Sequence, residues 1–287
     1  MNYISTRGGS DGKVSAAQAI KQGLASDGGL FMPENIPSLD TQEIAELCEM
    51  SYPERAAYIL SRFLTDYSYE ELLEDCQAAY SEKRFPGGAA PIHKLDERRF
   101  VLELWHGPTS AFKDMALQIM PKLLSRALEK TGEERTALIL VATSGDTGKA
   151  ALEGYRDVPG VKIMVFYPVD GVSKVQKLQM ATQLGENVSV YAIEGNFDDA
   201  QTGVKKIFGD AALASELNNR NVFLSSANSI NWGRLAPQIV YYVSAYCDLI
   251  NAGEIYAGEK IDVTVPTGNT PDAIAGFLSN YPKTVLA

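Results

Sequence analysis

Little in this chain of 287 residues supports metal, disulfide or multi-histidine chemistry. Its three cysteines, Cys48, Cys76 and Cys247, are odd in number, far apart and without a CxxC pair. Neither a disulfide framework nor a zinc site is expected from them, and a reducing compartment is. Only two histidines, His93 and His106, are present, which starves any mechanism built on several imidazoles. Positive charge is also in deficit: 26 basic residues stand against 36 acidic ones, a net charge of −10. That balance speaks against a nucleic-acid surface or a basic membrane face, but leaves room for a local cationic pocket facing a small anion. No stretch approaches the roughly 20 apolar residues needed to span a bilayer. The first ten residues hold no apolar core of signal-peptide length. These deficits lead us to expect a cytoplasmic protein with no nucleic-acid or membrane partner.

What remains is the composition of an ordinary globular chain, 45% hydrophobic and 22% charged, long enough for one large α/β domain or two modest ones. Residues 1–85 read as helical segments joined by turns. Ser26-Asp27-Gly28-Gly29 is a turn cluster, and Ser68 with Glu71 three residues on forms a capping box for a helix running toward Tyr80. Phe85-Pro86-Gly87-Gly88 interrupts that pattern and marks a boundary, giving an N-terminal helical region (1–85) and an α/β region (86–287).

Beyond residue 100 the texture becomes strand, turn, helix, repeated. Strands are expected at 99–104, 137–143, 161–167, 188–193, 222–225 and 261–265, with helices from about 111 and near 174–184, 198–217 and 233–250. Apolar strands alternating with helices predict mainly parallel sheets flanked by helices. In such sheets ligands sit beyond the carboxyl ends of the strands, where the loops gather.

Four of those loops carry chemistry-bearing residues. In Glu103-Leu104-Trp105-His106-Gly107-Pro108-Thr109-Ser110-Ala111-Phe112-Lys113-Asp114 a strand ends, Gly107-Pro108 turns the chain, and Thr109 or Ser110 is placed to cap a helix. Lys113 then falls in the first turn, where the positive end of the helix dipole favours a neutral amine, the form a nucleophilic lysine needs. The plain alternative is a solvated lysine, one of fifteen in the chain. The second loop, Ser144-Gly145-Asp146-Thr147-Gly148, follows an apolar strand with small residues that let backbone amides approach an anion. The third is Thr267-Gly268-Asn269-Thr270-Pro271-Asp272. The fourth, Ser226-Ala227-Asn228-Ser229-Ile230-Asn231-Trp232-Gly233-Arg234, sets polar side chains and one arginine between a strand and a helix, as an anion site does. Each of the last three also reads as a capped turn with no ligand.

Together these segments resemble threonine synthase, a fold-type II family dependent on pyridoxal 5′-phosphate (PLP). The opening Tyr3-Ile4-Ser5-Thr6-Arg7-Gly8 and Asp27-Gly28-Gly29-Leu30-Phe31 look like that family too, and HGPTSAFKDMALQ and ATSGDTGKAA are specific to it. The resemblance implies that Lys113 is the Schiff-base lysine and proton shuttle. It implies a reaction converting O-phosphohomoserine and water to threonine and phosphate. Ser144, Gly145, Asp146 and Thr147 would flank the cofactor ring. Gly268, Asn269, Thr270 and Asp272 would cradle its phosphate, and Thr147, Ser229, Asn231 and Arg234 would bind the substrate phosphate. The family's phosphate loop typically reads Gly-Asn-Phe-Gly, whereas Thr270 and Pro271 replace its last two residues here, and a proline has no amide hydrogen to donate. Relatives continue past the position of Ala287, so the chain is expected to lack the family's C-terminal part. Two other readings follow: an O-phosphohomoserine phospholyase giving 2-oxobutyrate, and a non-catalytic remnant that folds, self-associates and turns over nothing. Pro121 is expected to kink or end the helix that follows Lys113.

Overall fold

The protein is described by a computed structural model covering residues 1–9, 11–265 and 275–276. Its N-terminal region is helical as expected, with α1 (Ala16–Gln22), α2 (Thr41–Cys48), α3 (Tyr52–Phe63) and α4 (Tyr69–Ala79). Both bonds of the Ser68–Glu71 capping box form at the start of α4. Two short strands escape the sequence pattern: β1 (Tyr3–Ser5) pairs antiparallel with β2 (Phe31–Pro33). Three residues are too few to display an alternation. The same holds for β3 (Ile92–Lys94), which pairs antiparallel with β4 (Phe100–Leu102), the shortened form of the strand expected at 99–104.

The helix expected from residue 111 arrives late and in two pieces, α5 (Asp114–Leu117) and α6 (Met120–Lys130). Pro121 sits in the first turn of α6, so the break falls where the missing N–H predicts it. The break is also a packing surface. A Cβ placed on Gly154 of α7 (Asp146–Tyr155) would lie 2.0 Å from the Leu117 carbonyl oxygen. The interruption at Pro121 and the absence of a side chain at Gly154 thus let the two backbones meet.

The main sheet has the order β7-β6-β5-β8, all parallel, with β5 (Thr136–Ala142), β6 (Val161–Pro168), β7 (Val188–Ile193) and β8 (Val222–Ser226). Along β5, Ala137, Ile139 and Val141 enter the large core that includes α7, while Leu140 and Ala142 enter a second core with Ala200 and Val204 of α9 (Phe197–Phe208). Burial on both faces is why this strand reads as an unbroken apolar run. The helix α8 (Lys174–Ala181) joins β6 to β7. The single helix expected at 198–217 is two, α9 and α10 (Ala211–Asn219), because the Asp210 carboxylate accepts from the amides of Ala212 and Leu213 and starts a new helix.

Helix α11 (Trp232–Asn251) follows β8 and is the hub of the molecule: sixteen of its twenty residues are buried. It packs on α2 and α3 from the N-terminal region and on α5 and α6 beside the Lys113 loop. The strand expected at 261–265 does not form among the described residues. Ile261 takes part in a bridge and residues 262–264 are exposed. No helix among the described residues is long and apolar enough to cross a membrane.

Gly154→Ala should destabilise the fold by about 1–3 kcal/mol through overpacking, despite alanine's better helix propensity, and a urea melt of parent and variant measures it.

Candidate active site

Strands β5, β6 and β7 step outward in chain order, and β8 then returns to the other side of β5. The order in which strands are added therefore reverses between β5 and β8, and the loops after these two strands open the crevice that such a reversal creates. Asn228 ties the loops together, its amide donating to the Ala142 carbonyl at 3.3 Å.

The loop after β5 is organised by a residue that the sequence did not single out. Thr143 is buried, and its hydroxyl oxygen accepts from the amides of Gly145 at 3.0 Å and Gly148 at 2.9 Å. Two of the amides expected to face an anion are thus already used. Gly145 adopts φ 143°, and a Cβ there would fall within 2.6 Å of the Gln176 amide group. That amide donates to Asp146 Oδ1 at 2.6 Å, while its oxygen accepts from the Ser173 backbone at 3.1 Å. Gln176 of α8 therefore orients Asp146 of α7.

The other carboxylate oxygen of Asp146 lies 3.9 Å from Lys113 Nζ. The lysine side chain is 18% exposed against 48% for Asp146, and its ammonium nitrogen lies 4.4 Å from the centre of the Phe112 ring. Lys113 is the N-cap of α5 and not a residue of its first turn. Since α5 is a single turn, its dipole is small, and the helix-dipole account of a neutral Lys113 loses its basis. Nor do Thr109 and Ser110 cap a helix as expected. The bond runs the other way: Asp114 Oδ2 accepts from the Thr109 amide at 2.8 Å and its hydroxyl at 2.9 Å. Ser110, between them, holds φ 57°, an uncommon conformation for a residue with a Cβ.

In the loop after β8, Ser229 is half-buried near the crevice, while Asn231 and Arg234, expected to bind the substrate phosphate, are each only 1% exposed. Asn231 is the N-cap of α11. Its oxygen accepts from Gly233 N at 2.9 Å, and its nitrogen donates to the carbonyls of Ile20 at 2.9 Å and Ser226 at 3.1 Å. The Arg234 side chain ranks among the largest fully buried ones and acts electrostatically on Tyr80 and Tyr155. Gly268, Asn269, Thr270 and Asp272 lie outside the described residues.

Asn231→Ala should cost about 2–4 kcal/mol in a urea melt, because a cap is lost and two buried carbonyls lose their donor. Asn231→Asp keeps the acceptor for Gly233 but sets carboxylate oxygen against both carbonyls, so at neutral pH it should be the less stable of the two variants.

A half-buried primary amine beside a carboxylate, in the crevice of a parallel sheet, fits a carbonyl-bearing cofactor held covalently by lysine. Comparison with known proteins agrees. Residues 2–80 match the family model described as threonine synthase N terminus, and residues 86–281 match that of pyridoxal-phosphate dependent enzymes. The chain is 41% identical over 283 residues to threonine synthase of Pseudomonas aeruginosa, covering 97% of this chain and 57% of that one. It is 42% identical to human threonine synthase-like 1 over 92% of this chain and 37% of the other. The crystal structure of PLP-bound threonine synthase from Brucella melitensis superposes with a TM-score of 0.85 at 38% identity, covering 98% of this chain and 57% of that one. The chain thus spans little more than half the length of the threonine synthases it matches. With both family models matched in succession and Lys113 set in the crevice of a parallel sheet, the chain belongs to the pyridoxal-phosphate-dependent enzymes of fold type II, in the threonine synthase family.

Proposed function

We propose that this chain carries the cofactor-binding centre of a threonine synthase that turns O-phosphohomoserine and water into threonine and phosphate in the cytoplasm. The observation that carries the reading is the placement of Lys113 Nζ 3.9 Å from Asp146 at the β5–β8 crevice. PLP, when bound, supplies an electron sink for the negative charge that develops on the substrate carbons. Lys113 anchors it through Nζ. The same nitrogen would take up and return protons during the reaction. Asp146, held by Gln176, stands close enough to stabilise the ammonium form between those transfers.

Ser144, Gly145 and Thr147 complete the wall on the β5 side, where the missing Cβ at Gly145 gives the Gln176 amide its place against Asp146. Thr147, in the first turn of α7, and Ser229, in the loop after β8, are our choice for hydroxyl donors to the substrate phosphate. Asn231 and Arg234 serve that subsite from behind, by holding the β8–α11 turn, since neither side chain reaches solvent. The segment with Gly268, Asn269, Thr270 and Asp272 is assigned the cofactor phosphate on family resemblance alone.

Borohydride reduction in the presence of PLP should leave cofactor mass on the peptide containing Lys113, and Lys113→Ala should remove it while the circular dichroism spectrum is kept. Label on a different lysine, or none, sinks the assignment. Turnover with O-phosphohomoserine should release threonine and fall at least about a hundredfold in Lys113→Ala. Release of 2-oxobutyrate in place of threonine identifies a phospholyase instead.

A further inference from the structure

We propose that Gln118, held by Arg84, is a positioning residue for Lys113 that acts through the buried carboxylate of Asp114; the proposal rests on the reading of Lys113 as the reacting amine. The loop from 107 to 114 has almost no regular structure, yet it must present one amine reproducibly. Its two ends are clamped by Asp114, which is wholly buried. One carboxylate oxygen takes the Thr109 amide and hydroxyl, and the other takes Gln118 Nε2 at 3.0 Å. Gly107 completes the clamp, because a Cβ there would come within 2.5 Å of Asp114 Cβ. Lys113 is the residue immediately before the clamp, and Ser110 within the loop sits at φ 57°, which the closed loop enforces.

Burial pushes the Asp114 carboxyl above the usual carboxylate range, against the pull of its Thr109 and Gln118 donors. Each donor therefore matters to keeping it ionised and accepting. The donor from Gln118 has a fixed orientation. Its amide oxygen accepts from Arg84 Nη1, so its nitrogen must face Asp114. Among the described residues Arg84 forms no ion pair, and its one side-chain hydrogen bond goes to Gln118. Arg84 and Gln118 line an open cleft of about 500 Å³ whose walls include Pro121, Arg126 and Gly154 but not Lys113. The relay thus runs from that cleft, through a neutral amide and a buried acid, to the catalytic loop. A carboxamide suits the middle place because it offers a donor to the acid and an acceptor to the guanidinium; a carboxylate or an alkyl group fails one side or both.

The test follows each lysine in the full chain by mass spectrometry during limited reductive methylation with formaldehyde and cyanoborohydride, without PLP. Lys113 is measured against exposed Lys177 of the same molecule. Gln118→Leu and Gln118→Glu should free the loop and raise the Lys113-to-Lys177 rate ratio about fivefold or more. Arg84→Met should raise it less, and Arg84→Lys, which keeps a donor, should restore it. PLP loading should slow in the same order. A ratio unchanged in folded Gln118 variants overturns the relay. If those variants fail to fold, the Arg84 pair decides: a higher ratio in Arg84→Met that Arg84→Lys restores supports the relay, and equal ratios overturn it. Absence of PLP from Lys113 in the parent chain would instead defeat the functional reading and leave the methylation ratios to stand on their own.

Discussion

The side-chain amide of Asn231 joins three parts of the molecule at one point. It donates to the carbonyls of Ile20, in α1, and Ser226, at the end of β8, and it accepts from Gly233 in the first turn of α11. Nearby, Ser225 donates to the Lys21 carbonyl, and Gly23, at φ 78°, would bring a Cβ within 3.1 Å of the same amide nitrogen. Buried donors and acceptors left unmade cost about 1–3 kcal/mol each, so this junction tolerates few alternatives. Its consequence is global. Helix α11 is the surface on which the N-terminal helices and the Lys113 loop both rest, and Asn231 fixes where that helix begins.

From there the crevice follows. With α11 set, the turn from β8 runs beside the turn from β5, and Asn228 bridges the two through the Ala142 carbonyl. Thr143 shapes the β5 turn from inside by taking two amides, which leaves Asp146 at the head of α7, facing Lys113. Thr143 and Asn231, which shape the two turns, are neutral and buried, and the charged pair itself is the more exposed part.

What the sequence made legible follows from this arrangement. Strand β5 was readable because burial on both faces leaves a long apolar run, and β6 to β8 because short apolar, β-branched and aromatic stretches stand between turn signals. The break at Pro121 and the box at Ser68 were readable because their causes are local. Lys113 and Asp146 stood out because each sits in a contiguous motif. Three-residue strands such as β1 and β3 left no period to read, and the segment at 261–265 looked like a strand because its composition says nothing about whether a neighbour exists to pair with. Gln176 and Gln118 were invisible for a different reason. An amide that orients an acid 30 residues away, or a guanidinium 34 residues away, has no signature in either stretch taken alone. Asn231 was noticed, but its capping role was not: polar residues before a helix suit an anion site and a buried cap equally well, and the cap becomes visible only with the positions of Ile20 and Ser226.

The recurrence of carboxamides around Lys113 has a physical reason. Two unit charges 4 Å apart interact by about 4 kcal/mol at an effective dielectric constant of 20, so a charged positioner next to Asp146 or Asp114 would change the electrostatics of the amine as well as its place. A glutamine separates the two tasks. Gln176 aims Asp146 and Gln118 secures Asp114, one donor to each acid, and neither adds charge to the crevice. On the proposed reading, a lysine that holds a cofactor and carries protons gains from a location set by many groups. Hydrogen bonds reaching back to Ser173 and Arg84 fix the two acids beside Lys113, and with them the loops that carry it.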